Sequence, residues 1–194
     1  MKQFDINEIN TIPFIDRGRA NEIALAALND NYDLKPILGF LPFFDSGISN
    51  SIFKKAMEQE ANIEELLMTI NPFTDKSLND IVTYKAMEKN ISAEAIAGKV
   101  FPFISIDVAN EVAEYCIKRD CNAESLINGA ISFVNGATAD KIVLYAIDKE
   151  INPELLAMKV IPLISKYVKY KVNDYLKNSG VEMELSMSIP REEK

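Results

Sequence analysis

ISAEAIAGKVFPFISIDVANEVAEYCIKRD, residues 91–120, is the stretch that decides how the chain reads. Moved back thirty residues, it lies on ANIEELLMTINPFTDKSLNDIVTYKAMEKN (61–90). Moved forward, it meets CNAESLINGAISFVNGATADKIVLYAIDKE (121–150) and then INPELLAMKVIPLISKYVKYKVNDYLKNSG (151–180). A further copy, NYDLKPILGFLPFFDSGISNSIFKKAMEQE, occupies 31–60, and a degenerate copy opens the chain. A period of this size is the mark of supersecondary units that bury their apolar faces against their neighbours.

Each unit carries two helix starts. Asn62, Ser92, Asn122 and Asn152 are followed two residues later by Glu64, Glu94, Glu124 and Glu154. The Asn or Ser oxygen can accept from free amides of the first turn, and the glutamate suits the positive helix end. The second start is Asp16, Asp45, Asp75, Ser105, Asn135 and Ser165. Lys89, Arg119 and Lys149 then fall at the negative end of the second helix. The spacing predicts a first helix of about a dozen residues and a second slightly longer. Leu66, Ile70 and Phe73 form an i, i+4, i+7 stripe on the first helix, repeated as Ile96, Val100, Phe103 and as Leu126, Ala130, Phe133. The small residues Ala56, Ala86, Cys116 and Ala146 share one column of the second helix, where they permit close helix approach.

The expected fold is therefore all-α, a right-handed α-solenoid of about six helical hairpins over residues 1–179. Residues 180–194 form a separate tail. There Val181, Met183, Leu185, Met187 and Ile189 alternate with polar residues, which predicts a strand. Such a strand needs a partner for its backbone, either residues 3–6 or a second copy of the chain, so a homo-oligomer is one expectation.

A proline stands late in the first helix at Pro13, Pro42, Pro72, Pro102 and Pro162. Eight residues after each of the first four, and after Ser132, comes Asn21, Asn50, Asp80, Asn110 or Asp140. This pattern, spanning residues 10–178, resembles the HEAT repeat. That resemblance implies a ladder of side chains linking successive hairpins. In the family an Arg or Lys six residues further on supplies its charged half, whereas this chain has Ala27, Ala56, Ala86, Cys116, Ala146 and Leu176.

The charge balance of −8, from 29 acids and 21 bases, opposes broad nucleic-acid binding and docking on an anionic membrane, but suits a basic protein partner. Histidine is absent, which removes the commonest proton shuttle near neutral pH and the His-based nucleophile pairs. No catalytic constellation, cofactor site or metal cluster is legible. Cys116 and Cys121, five positions apart near a helix end, are expected on different faces and unbridged, in keeping with a reducing cytoplasmic setting. No run of apolar residues reaches membrane-spanning length.

Two rows remain as candidate sites. Asn21, Asn50, Asp80, Asn110 and Asp140 are poor helix formers in one register and read first as a structural inter-repeat ladder, second as a ligand row. Tyr84, Lys85, Tyr115, Tyr145 and Tyr175 read as an interaction surface, each tyrosine having an apolar body and a polar tip. The corresponding function is a non-catalytic adaptor that binds another protein on the surface lined by successive second helices. An enzyme or small-molecule binder of HEAT-like form, or a self-associating structural protein, is the alternative.

Overall fold

The computed structural model describes residues 5–59, 61–160 and 163–181. Among these every element is helical, and there is no strand. The segment 182–194, where a strand is expected, lies outside the described residues, as does Pro162. The chain forms two compact units, Met1–Ile91 with Pro102–Ser105, and Ser92–Phe101 with Ile106–Lys194.

The first unit begins with a 3₁₀ segment, Ile6–Phe14, followed by α1 (Arg17–Asn29) and a second 3₁₀ segment, Lys35–Phe43. Then come α2 (Ser46–Glu58), α3 (Ile63–Thr69) and α4 (Lys76–Glu88). The second unit contains α5 (Ala93–Val100), α6 (Ile106–Lys118), α7 (Ala123–Gly129), α8 (Gly136–Asp148), α9 (Pro153–Val160) and α10 (Lys166–Asn178). A short 3₁₀ turn, Phe101–Phe103, joins α5 to the next loop. Within the second unit α6, α8 and α10 pack in sequence, as do α5, α7 and α9.

The second helices are thirteen residues each, as the spacing predicts. The first helices are shorter than the expected dozen: seven or eight residues where they are α. Proline accounts for part of this. It lacks the amide that an α-helix would use and crowds the preceding turn. Accordingly Pro13 and Pro42 sit inside 3₁₀ segments, and α5 gives way to 3₁₀ geometry at Pro102. Without a proline α7 still stops, at Gly129, the poorest helix former after proline.

Early termination also corrects the apolar stripe. Once the helix ends, the following residues leave its register. Phe43, Phe73 and Phe133 are 38%, 42% and 38% exposed, and Phe103 is half-buried. The residue that turns inward is the next one, Phe44, Thr74 or Ile104. The remaining stripe residues, Leu66, Ile70, Ile96, Val100, Leu126 and Ala130, are buried as the period requires.

Capping chemistry fixes the starts. Asn62, Asn122 and Asn152 accept from the amides of Glu64, Ser125 and Glu154 at 2.8–3.0 Å. Asp16 and Asn135 do the same for Arg19 and Thr138 at the second starts. The helix ends follow one rule too. The amides of Tyr32, Ala61, Ile91, Cys121, Ile151 and Val181 donate back five residues to the carbonyls of Ala27, Ala56, Ala86, Cys116, Ala146 and Leu176. Each such loop needs one left-handed residue, seen at Asn31, Asn90, Asp120, Glu150 and Gly180 with φ between 50° and 75°. The column of small buried residues is thus the acceptor end of this loop. The side chains of this column are buried, which leaves no room there for a long solvated cation.

Candidate functional site

The Asn/Asp row acts on the backbone. In the first unit the side-chain oxygens of Asn21, Asn50 and Asp80 accept from the amides of Asp45, Asp75 and Ser105 at 3.0, 2.8 and 2.9 Å. In the second unit Asn110 and Asp140 accept from Asn135 and Ser165 at 3.0 and 2.8 Å. Every acceptor therefore holds the N-cap amide of the following second helix. An unsatisfied amide at a helix start is a general cost of helix formation, and a side chain from the preceding hairpin removes it. Asn21 adds a second bond, its amide donating to the Asp45 carboxylate at 2.7 Å.

The tyrosine row makes a second set of ties. Tyr145 donates from its hydroxyl to the Cys121 carbonyl at 2.6 Å and lies 3.1 Å from the Asp120 carboxylate. Tyr175 donates to the Ile151 carbonyl at 2.5 Å. Both hydroxyls thus hold the left-handed loop that closes the preceding second helix. Both rings are half-buried. Lys149 sits 5.6 Å over the Tyr145 ring and is ion-paired with Asp120, and Arg119 lies 4.3 Å over the Tyr115 ring. In the first unit Tyr84 is half-buried and Lys85 exposed in the last turn of α4.

Burial and the Asp120 carboxylate push the Tyr145 hydroxyl up to about 12, and Lys149 and the tyrosine hold Asp120 below its ordinary value. The neutral phenol is the form that the fold favours. Since an unfolded tyrosine titrates near 10, the stabilisation from this bond is complete below about pH 10. It is lost as the pH rises through about 12. Tyr145→Phe is expected to cost about 1 kcal/mol at neutral pH. The difference between the two proteins should shrink steadily above pH 10 in urea titrations. A constant difference across that range would show that the hydroxyl bond does not set it.

Between α6 and α8 the second-helix surface opens into a groove of about 390 Å³. Ile117, Leu144 and the Tyr145 ring supply its apolar floor, and Glu114, Lys118, Lys141 and Asp148 its rim. Lys141 and Glu114 are ion-paired across the two helices. The sequence placed Tyr145 on this surface and marks Ile117 as one of an apolar column with Met57, Met87 and Ile147, but did not single out Leu144. A weak signal was present at Leu144, an apolar residue in a helix position that the neighbouring copies fill with Glu114 and Asp174.

The two cysteines are free and buried, 0% and 3% exposed. Contrary to expectation their thiols interact directly, and that of Cys121 also reaches the Glu94 carboxylate. Helical geometry would have separated them. The helix stops at Lys118, and the left-handed turn at Asp120 brings Cys121 back over Cys116.

Among the described residues no group of three or more His, Cys, Asp or Glu side chains is arranged to hold a metal ion. No described helix is long and apolar enough to cross a membrane. In comparisons with known proteins, no family model, no curated protein and no solved structure matches this chain.

Proposed function

We propose that this chain is a non-catalytic protein-binding module. In this reading it is a HEAT-like right-handed α-solenoid of about six hairpins that takes its partner on the surface lined by successive second helices. The groove between α6 and α8 carries the proposal: an apolar floor of Ile117 and Leu144 inside a charged rim is the form in which a partner side chain is desolvated while its flanks are kept in register. Support also comes from the thirty-residue period, which supplies a second helix of the same length in every unit. With a net charge of −8, the partner segment is one that sets apolar residues among lysines or arginines.

The test is affinity capture from a lysate of the source organism, comparing the intact chain with Leu144→Glu and with Lys141→Glu. Leu144→Glu places a carboxylate on the apolar floor, and Lys141→Glu reverses a charge of the exposed rim. A partner held by the intact chain should be retained at least about tenfold less by Leu144→Glu, the range of a loss above 1.4 kcal/mol. Circular dichroism should be unchanged in both variants. Equal retention by all three proteins would move the binding surface away from this groove. A chain truncated after Ser179 distinguishes a partner bound through residues 180–194.

A further inference from the structure

We propose that Cys116 and Cys121 form a modification site, a dithiol that closes to an intramolecular disulfide by exchange with a low-molecular-weight disulfide. Four observations converge on it. The Cys121 amide donates to the Cys116 carbonyl at 3.1 Å, so only three covalent bonds and one hydrogen bond separate the two Cα atoms. Separations of that order are what a disulfide spans. The thiols already interact, and the Cys116 thiol is steadied by the Ala93 carbonyl at 3.6 Å. Cys121, the less deeply buried of the two, lines a cleft of about 300 Å³ with Asn122, Tyr145, Lys149 and Ile151, which gives a reagent its approach. Finally, the corresponding loops pair Ala86 with Ile91 and Ala146 with Ile151, so packing alone does not require sulfur at these two places.

The exchange has a defined order. The Cys121 sulfur, its proton lost to water in the cleft, attacks one sulfur of the reagent disulfide. The reagent S–S bond breaks, and one reagent thiol leaves, protonated. The Cys116 sulfur then attacks the Cys121 sulfur and expels the second reagent sulfur, which leaves as a thiol by taking the Cys116 proton. Two protein thiols are oxidised, and one reagent disulfide is reduced to two thiols. Burial raises both thiols above their ordinary range, so thiolate is scarce and the exchange is slow. The fold determines where the equilibrium lies.

The intact protein is equilibrated in mixtures of reduced and oxidised glutathione, once in a urea concentration below the unfolding transition and once fully unfolded. Trapping with an alkylating agent and weighing then counts free thiols, internal disulfide and glutathione adducts. The ratio of internal disulfide to reduced protein should be at least about tenfold higher in the folded chain than in the unfolded one at the same glutathione poise. Cys116→Ser and Cys121→Ser should each abolish the doubly oxidised species. An equal or lower ratio in the folded chain overturns the proposal. So does a folded chain that accumulates a stable glutathione adduct or a disulfide between chains.

Discussion

Phe53→Ala is expected to destabilise the protein by about 3–5 kcal/mol, read as a shift of the urea midpoint at unchanged slope. Phe53 lies on α2 and is fully buried. The helix packs against α1, α4 and the 3₁₀ segment Lys35–Phe43, so removing the ring leaves space walled on several sides. How much of that space refills decides the cost. The same register holds Ala24 on α1 and Thr83 on α4, both fully buried and neither long enough to reach across. Thr83 is also tied down, its hydroxyl donating to the Asn79 carbonyl at 2.8 Å. Phe53→Leu keeps most of the volume and should cost under about 1.5 kcal/mol. If alanine and leucine cost the same, the site relaxes freely, and the rigidity inferred from its neighbours is wrong.

Asn79→Ala should lower stability by about 2–4 kcal/mol, although the change removes only a small polar group. Asn79 is completely buried at the start of α4. Its amide donates to the Phe103 carbonyl at 3.0 Å, and its carbonyl oxygen accepts from the Thr74 hydroxyl at 2.7 Å. Alanine would take the buried donor from the Phe103 carbonyl and leave the buried Thr74 hydroxyl with the Asn71 carbonyl alone, at 3.1 Å. Pairing Asn79→Ala with Thr74→Val tests this. Once Thr74 no longer presents a hydroxyl, the second change should cost about 0.5–2 kcal/mol less than in the intact protein. Strict additivity would show that the two side chains act separately.

The contrast between these two sites shows how far the sequence could be read. The caps and the lengths of the second helices follow from local chemistry visible in a single copy, and the thirty-residue period from laying the copies over one another. Asn79 gave little warning, because its register holds Ser49, Ala109 and Ala139 elsewhere, and only the packed chain shows that an asparagine there is enclosed. The Phe73, Phe103 and Phe133 positions were misread because a helical period was carried past the point where the helix stops. The cysteine pair is unbridged as expected, but its placement on different faces fails for the same reason at the other end of a hairpin. For the tyrosines, sequence placed the rings on a surface, but the hydroxyl partners are main-chain carbonyls, which carry no residue signature.

That last property extends to the Asn/Asp row, whose acceptors all meet the main-chain amide of the next N-cap, with a side-chain bond added at Asn21 and Asp45. Aspartate, serine and asparagine all serve as the receiving residue, at Asp45, Asp75, Ser105, Asn135 and Ser165. A join of this kind has no lock-and-key pairing to preserve, since any residue except proline offers the same donor. Copying or deleting one block of thirty residues in frame would leave every junction with a working acceptor and a working donor. The gene could therefore have grown or shrunk by whole blocks without matched changes on both sides of a new seam.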